Sequence, residues 1–493
     1  MDWLDHWAWV VICGILASLA LWIGIMYVQD ITQTAHTVRR NFPVVGRMRY
    51  RFEKLGEYFR QYFFSHDREE MPFNRATRAW VYRTAKGLGG LLGFGSTNNL
   101  NESGSIIFVS APYALLEEEY IPTPSLVIGP NCKYPFEAKS LFNISGMSYG
   151  AISAAAVRAL SKGAGKSGIW MNTGEGGLSP YHKEGDCDII FQVGTAKYGV
   201  RDEEGNLSDE RLRDVSQYVK AFEIKMSQGA KPGRGGVLPG TKVTKEISKI
   251  RGIPVGQVSS SPNRHKEIKS PDDLLDMIHR IREVTGRPVG YKAVIGSEQS
   301  VQDLCEAIHR RGRDSAPNFI TVDGGDGGTG AAPQLLSDHV GLPLNESLPI
   351  LVDTLIEYDL KEQVKVIASG KLVQSAKVAW ALCVGADFIT SARGFMFSLG
   401  CIQSMQCHTD TCPTGITTHN KQRQRGLVVA DKAERVSQYA HWVNHEVNVL
   451  AHSCGLANAR EFRREHLRLV LNPGRSMPLD VMYPYPDVKF PLV

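Results

Sequence analysis

Between residues 140 and 394 the chain repeats one pattern eight times: a short apolar run, a polar turn bearing glycine, then in most cases a helix-like stretch. The runs are SLFNISGMSYG, GIWMNTGEGG, DIIFQVGT, AFEIKMSQGA, GYKAVIGS, NFITVDGGDGG, VKVIASG and DFITSARG. Each is short and β-rich, the pattern of a strand buried on both faces. Amphipathic helices lie between several of them. One starts at Pro271 with Ser270 as its N-cap, and others run from Glu298 to Arg311 and from Ser375 to Val384. Eight β/α units in sequence predict an α/β chain built on a closed (β/α)8 TIM barrel. The rival is an open doubly wound sheet. It would show fewer strands and a Gly-x-Gly-x-x-Gly turn after the first, where this chain has Ser-Gly-Met-Ser-Tyr-Gly.

A barrel gathers its chemistry at the C-terminal ends of its strands, where these polar turns fall. Three consecutive turns suit a phosphate: Asp323-Gly-Gly-Asp-Gly-Gly-Thr-Gly-Ala, Ser369-Gly370-Lys371 and Ala392-Arg393-Gly394. Glycine leaves backbone N–H groups open to an anion and lets the backbone approach it. The competing reading is three tight turns.

Seven residues after Gly394 comes Cys401, followed by Cys407 and Cys412, with Pro413 closing the run. Three thiolates so close suit an iron–sulfur cluster, and three rather than four suggest one with an iron missing. Zinc with His408 as fourth ligand, and simple burial, are the alternatives. Cys13, Cys132, Cys187, Cys305, Cys383 and Cys454 stand singly and read as small buried hydrophobes. In a barrel the cysteine run sits just past strand eight, beside the proposed phosphate. A flavin mononucleotide held there would lie close enough to exchange electrons with a cluster, and flavin converts one-electron input into hydride output.

Residues Trp7 to Val28 form an uncharged apolar run long enough to cross a bilayer. The leader before it has no Lys or Arg and carries two acids, which argues against a cleaved signal peptide. Arg39, Arg40, Arg47, Arg49, Arg51, Lys54 and Arg60 follow it. The positive-inside rule therefore predicts a single-pass protein of the inner (cytoplasmic) membrane with its catalytic domain in the cytoplasm. The basic stretch reads equally as lying on anionic headgroups or as a solvated face. The net charge is only +5 and no basic stripe with interleaved aromatics is present, so no nucleic-acid partner is expected. The roughly 460 residues after the helix suffice for one large domain with extensions. The expected organisation is an anchor over 1–30, a basic juxtamembrane and pre-barrel segment over 31–137, the barrel over 138–400, and a cluster loop with a helical tail over 401–493.

Five motifs occur in one order: SGMSYGAIS (145–153), NTGEGG (172–177), IKMSQGAKPGRGGVLPG (224–240), VDGGDGGTGAAP (322–333) and CxxxxxCHxxxCPTGI (401–416). Together they resemble the FMN- and cluster-binding central domain of glutamate synthase, over about residues 140–420, with a helical tail to about residue 470. The resemblance implies that Cys401, Cys407 and Cys412 hold a 3Fe–4S cluster. Met147 and Ser148 would lie by the flavin ring, and Lys292 would approach it. Gly325, Gly328, Gly370, Lys371, Arg393 and Gly394 would line its ribityl and phosphate. Lys225, Gln228 and Lys231 would face the substrate, and Glu175 would sit where ammonia meets the keto acid. The implied reaction is reductive amination of 2-oxoglutarate to L-glutamate.

The departures from the family shape the expectation. No amidotransferase-sized segment precedes the barrel and no C-terminal β-helix follows, so glutamine hydrolysis is not expected of this chain. Arg234 stands where the family usually has glutamate, a charge reversal near the substrate loop. No nicotinamide fingerprint is present, so electrons are expected to pass to or from a ferredoxin-like or other redox protein, or a membrane quinone. Two other functions stay open. One is a dehydrogenase of glutamate, an N-alkylglutamate or a related amine, feeding the membrane. The other is a non-catalytic electron-relay or assembly subunit, against which the intact Lys225, Gln228 and Glu175 count.

Overall fold

The computed structural model describes residues 2–91 and 93–491 and divides into two compact units, up to Thr77 and from Arg78 onward. The first unit opens with a helix over Asp2–Thr32, of which His6–Thr32 is long and apolar enough to cross a membrane. A short helix Thr37–Asn41 follows, then a helix Gly46–Phe59 that runs into a π-helical turn Arg60–Phe64.

In the second unit all eight apolar runs become strands of one closed parallel barrel. They are β1 (Phe142–Ile144), β2 (Met171–Asn172), β3 (Ile189–Val193), β4 (Ala221–Lys225), β5 (Val289–Ala293), β6 (Phe319–Asp323), β7 (Lys365–Ser369) and β8 (Phe388–Ser391). Each pairs with its sequence neighbour, and β8 closes on β1 through Thr390 opposite Asn143. Every residue of β3, β4 and β6 is buried, as expected of strands between a filled interior and covering helices. One strand position requires glycine: a Cβ at Gly290 would come within 2.3 Å of the Phe319 carbonyl oxygen on β6.

The predicted helices form over Pro271–Thr285, Glu298–Arg311 and Ser375–Val384. Ser270 caps the first, its hydroxyl accepting from the Asp273 amide, and Gly286 ends it in the left-handed conformation. An antiparallel pair, Leu126–Ile128 with Phe136–Ala138, packs on one end of the barrel. Its Ile128, Phe136 and Ala138 join Trp170, Ile190, Ala221, Phe319, Ile367 and Phe388 in one buried cluster. Trp170, Ala221, Phe319 and Phe388 lie at or just before strand starts, so this plug seals the N-terminal mouth and leaves the other mouth for chemistry.

The tail supplies the helix Val429–Ser453, which packs on Ala154–Ser167. The contact is close because Gly163 has no Cβ: one there would meet Val436 Cβ at 2.5 Å. From the same helix the buried Tyr439 donates to the Val373 carbonyl at 2.7 Å and packs edge-on against Phe142 and Phe395. Beyond this helix the tail also adds strands. Leu467–Asn472 pairs with Arg475–Pro478 and with Ile106–Phe108, which precedes the barrel. No local signal announces that sheet, because its partners are far apart in the chain.

Candidate active site

The open mouth holds a cavity with about 1040 Å³ of empty space, part of it open to solvent. Ten of the residues singled out from sequence line it: Met147, Ser148, Glu175, Lys225, Gln228, Lys231, Lys292, Gly328, Arg393 and Cys407. They come from the ends of β1, β2, β4, β5, β6 and β8, so only closure of the barrel brings them together.

Lys225 and Lys292 face each other as register partners on β4 and β5. Two like charges so placed need anions. Lys225 pairs with Glu175 at 2.8 Å, and Lys292 with Asp323 at 3.2 Å. Asp323 also accepts from the Gly229 amide at 3.0 Å and the Ser369 hydroxyl at 2.8 Å, joining three loops. Two glycines enclose Glu175: a Cβ at Gly236 would come within 2.2 Å of its Oε1, and one at Gly194 within 2.6 Å of its Cβ. Burial opposes ionisation of Glu175, but Lys225 and Lys231, with Arg251 behind them, hold its pKa down at about 2. It is a carboxylate at any physiological pH.

Lys231 is buried and lowered to about 8, first by burial and then by Lys225, with Glu175 partly offsetting both. It therefore exchanges a proton close to neutrality. Below these charges the Glu223 carboxyl fills the barrel interior, accepting from Asn172 at 2.8 Å, Gln192 at 2.6 Å and Thr321 at 2.6 Å. His265 supports the end of β4 through the Lys225 carbonyl at 3.1 Å, and burial lowers its pKa to about 4.

Two cations in the lining escaped the sequence reading. Arg251 is buried against Tyr198 and donates from Nη2 to the Tyr149 carbonyl at 3.1 Å. Its Nε is buried and finds no hydrogen-bond partner among the described residues. Lys242 is also buried, donating to the carbonyls of Thr417 at 2.6 Å, Cys407 at 2.8 Å and Ala151 at 3.3 Å. It ties the cysteine loop to the loop after β1. Both residues lie between the fourth and fifth apolar runs, where no strand pattern draws attention. The available signal was Thr244, which caps the short helix Lys245–Arg251 and delivers Arg251 to the mouth.

Six expected residues lie outside the lining: Gly325, Gly370, Lys371, Gly394, Cys401 and Cys412. Protein packing accounts for the three glycines. A Cβ would meet the Gly341 carbonyl oxygen at 2.4 Å from Gly325, the Gly324 amide at 3.0 Å from Gly370, and the Tyr439 hydroxyl at 2.1 Å from Gly394. Lys371 has a left-handed backbone (φ 50°) and pairs with Asp326 at 3.2 Å. Arg234 is exposed and also lies outside the lining.

Arg393 joins the cavity to the cysteines. Its guanidinium donates to the Thr329 carbonyl and reaches Cys407 Sγ at 3.7 Å. All three thiols lie within its electrostatic reach. Cys401 and Cys412 are buried and Cys407 half-buried. Burial works against ionisation of Cys412, but hydrogen bonds from Thr414 and Thr417 outweigh it and lower its pKa. These are soft donors beside fixed cations, which suits an iron–sulfur cluster. Among the described residues, however, no three His, Cys, Asp or Glu side chains converge closely enough to hold a metal ion. The loop carries the donor set without the converged geometry.

For a flavin the fit rests on space. Gly328, Thr329, Gly330 and Ala331 line the cavity after β6, Met147 and Ser148 after β1, and Arg393, after β8, donates to the Thr329 carbonyl. A Cβ on Gly330 would meet nothing within 4 Å, so that backbone is open to a ligand.

A family model described as a conserved region in glutamate synthase matches residues 99–457. The chain is 39% identical to the glutamate synthase large subunit-like protein YerD of Bacillus subtilis, over 95% of this chain and 96% of that one. It is 35% identical to an archaeal-type glutamate synthase (NADPH) of Thermotoga maritima, over 65% of this chain and 61% of that protein. Among solved structures, a flavocytochrome b2 mutant with benzoylformate superimposes with a TM-score of 0.47 at 13% identity, over 88% of this chain and 90% of that one.

Proposed function

The chain belongs to the glutamate synthase family of oxidoreductases, and from that membership we propose that it binds FMN and a 3Fe–4S cluster and aminates 2-oxoglutarate reductively to L-glutamate. One observation carries the substrate: Lys225, Lys231, Arg251 and Lys292 converge on a cavity whose lining among the described residues holds one carboxylate, Glu175, paired with Lys225, while Asp323 pairs with Lys292. Adding Arg393 and Lys242, the lining holds a clear excess of positive charge, which suits a dicarboxylate keto acid beside a flavin phosphate.

Met147, Ser148, Gly328 and Arg393 would hold FMN, and Cys401, Cys407 and Cys412 the cluster. When bound, FMN supplies hydride chemistry and the cluster supplies single electrons. The chain's own residues do the rest. Lys231 and Arg251 bind and orient the carboxylates, and the unpartnered Nε of Arg251 gains an acceptor. Glu175, ionised with a pKa of about 2, accepts hydrogen bonds from ammonia as it meets the keto group, and serves as a fixed charge rather than an acid. Lys231, at about 8, can hand a proton to the nitrogen and recover it near neutral pH. Ammonia comes from solution or a partner.

A second reading keeps the site and reverses the flow: an amine dehydrogenase passing electrons to a membrane quinone or carrier. The helix His6–Thr32 favours it, because anchoring places a flavoenzyme beside membrane acceptors. On either reading a redox protein or quinone is the electron partner and the barrel faces the cytoplasm. The test is to supply chemically reduced protein with 2-oxoglutarate and 15N-ammonium under anaerobic conditions and to analyse the product by mass spectrometry. Formation of 15N-glutamate supports the synthase direction. Its absence, with the oxidised protein bleached by glutamate or an N-alkylglutamate, replaces it with the second reading.

A further inference from the structure

The cavity lies wholly in the second unit, yet the first unit carries a surface of its own. Along the helix Gly46–Phe59, Met48, Phe52, Leu55 and Phe59 recur every three or four residues and so form one stripe. All four are exposed, Phe52 to 60%. The π-helical turn extends the apolar surface with Tyr62, Phe63 and Phe64, and Phe63 lies with its ring 5.6 Å from that of Phe59. A contiguous apolar surface of this kind marks an interaction site.

Charge is arranged around the stripe. At about 100° per residue, Arg51 lies about 70° from the stripe's centre on one side and Arg49 about 90° on the other; Arg60 and Glu53 follow at about 110° and 130°, Lys54 lies about 130° round the other side, and Glu57 falls opposite. Long basic side chains flanking an apolar stripe, with Glu57 turned away, match a helix lying in a bilayer surface.

The start of this helix is fastened to the end of the apolar one. Asp30 is fully buried and accepts from Arg39 Nη2 at 2.7 Å, Arg47 Nε at 2.8 Å and the Val44 amide at 2.9 Å. Arg47 also donates to the Met26 carbonyl at 3.2 Å and to Gln29 at 3.0 Å. A buried carboxylate is costly unless paired, and two guanidinium groups with one amide meet that need. Gly46 completes the turn, since a Cβ there would come within 2.7 Å of the Val38 carbonyl oxygen. The geometry therefore holds the amphipathic helix at the exit of His6–Thr32.

We propose that helix Gly46–Phe59 lies on an anionic lipid surface, with its apolar stripe at the boundary between headgroups and acyl chains and Arg49, Arg51 and Arg60 on the headgroup anions. The inference rests on the membrane-crossing reading of His6–Thr32 and is independent of the catalytic reading. The occupant is lipid because the stripe continues a bilayer-length apolar helix and its flanks are basic.

The test is hydrogen exchange, read by mass spectrometry, on the full chain in nanodiscs holding one chain each, with discs holding two chains as a comparison. The discs are made of phosphatidylcholine alone or mixed with phosphatidylglycerol. The exposed Arg49→Glu/Arg51→Glu/Arg60→Glu variant is run beside the natural chain. The expected result is exchange about tenfold slower over residues 47–63 in the phosphatidylglycerol discs. That protection should weaken in phosphatidylcholine and in the variant, while His6–Thr32 stays protected throughout. Equal protection in both lipids and in the variant would overturn the anionic contact. Protection only with two chains per disc would assign the stripe to a second copy. No protection over 47–63, with or without protection of His6–Thr32, would overturn the surface reading.

Discussion

At the residue scale the site is a charge balance centred on Glu175. Two glycines leave room for its side chain, Lys225 pairs with it at 2.8 Å, and the surrounding cations keep it ionised. Glu175→Gln keeps the shape and removes the charge proposed to meet ammonia. The expected loss is about 10²–10³-fold in kcat, the scale set by deleting one preorganised electrostatic partner. Steady-state kinetics checks it. Lys231 sets the pH response. Its ammonium is present below about 8 and is lost as pH rises through that value, so the KM for the keto acid should climb on the alkaline side. In Lys231→Arg the charge does not titrate, and this limb should disappear from the pH profile of KM. Stability moves the other way in the ligand-free protein. The pKa lies below the unfolded value of 10.5, so the unfolded chain binds more protons between about 8 and 10.5, and stability rises with pH across that window. The motifs made Glu175 and Lys231 legible because each sits in a glycine-marked turn. Arg251 and Lys242 were not, because burial and three-dimensional closure alone turn them toward the mouth.

At the element scale the strands were the most legible part. A run buried on both faces has one dominant signal, and all eight runs became barrel strands. The plug Leu126–Ile128 with Phe136–Ala138, whose three-residue strands are too short to show a pattern, and the sheet joining Ile106–Phe108 to the distant Leu467–Asn472 appear only in the fold. The glycines divide the same way: their clustering marked the mouth, but Gly325, Gly370 and Gly394 answer to neighbouring protein atoms. Trp170, in the plug cluster, should be purely structural. Trp170→Ala is expected to cost about 3–5 kcal/mol in chemical denaturation, with KM unchanged in the protein that remains folded. Lys242→Met tests the element that ties down the cysteine loop. It removes a donor from three buried carbonyls, each costly to leave unsatisfied at about 1–3 kcal/mol. Iron content should fall while flavin content holds.

At the scale of the whole molecule, the barrel closes one mouth with a hydrophobic plug and opens the other onto a cationic cavity, with three cysteines around Arg393 beside it. Protein purified without oxygen should contain about one FMN and three irons per chain, as a three-thiolate cluster requires. The central claim is that this cavity joins ammonia to a dicarboxylate keto acid at the expense of a reduced flavin. Stopped-flow absorbance of the anaerobically reduced protein tests it most directly. Mixing with 2-oxoglutarate and ammonium together should return the oxidised flavin spectrum in a single turnover, while either compound alone, or the pair added to Glu175→Gln, should do so far more slowly. A flavin that stays reduced with the pair and with every related imine would contradict it.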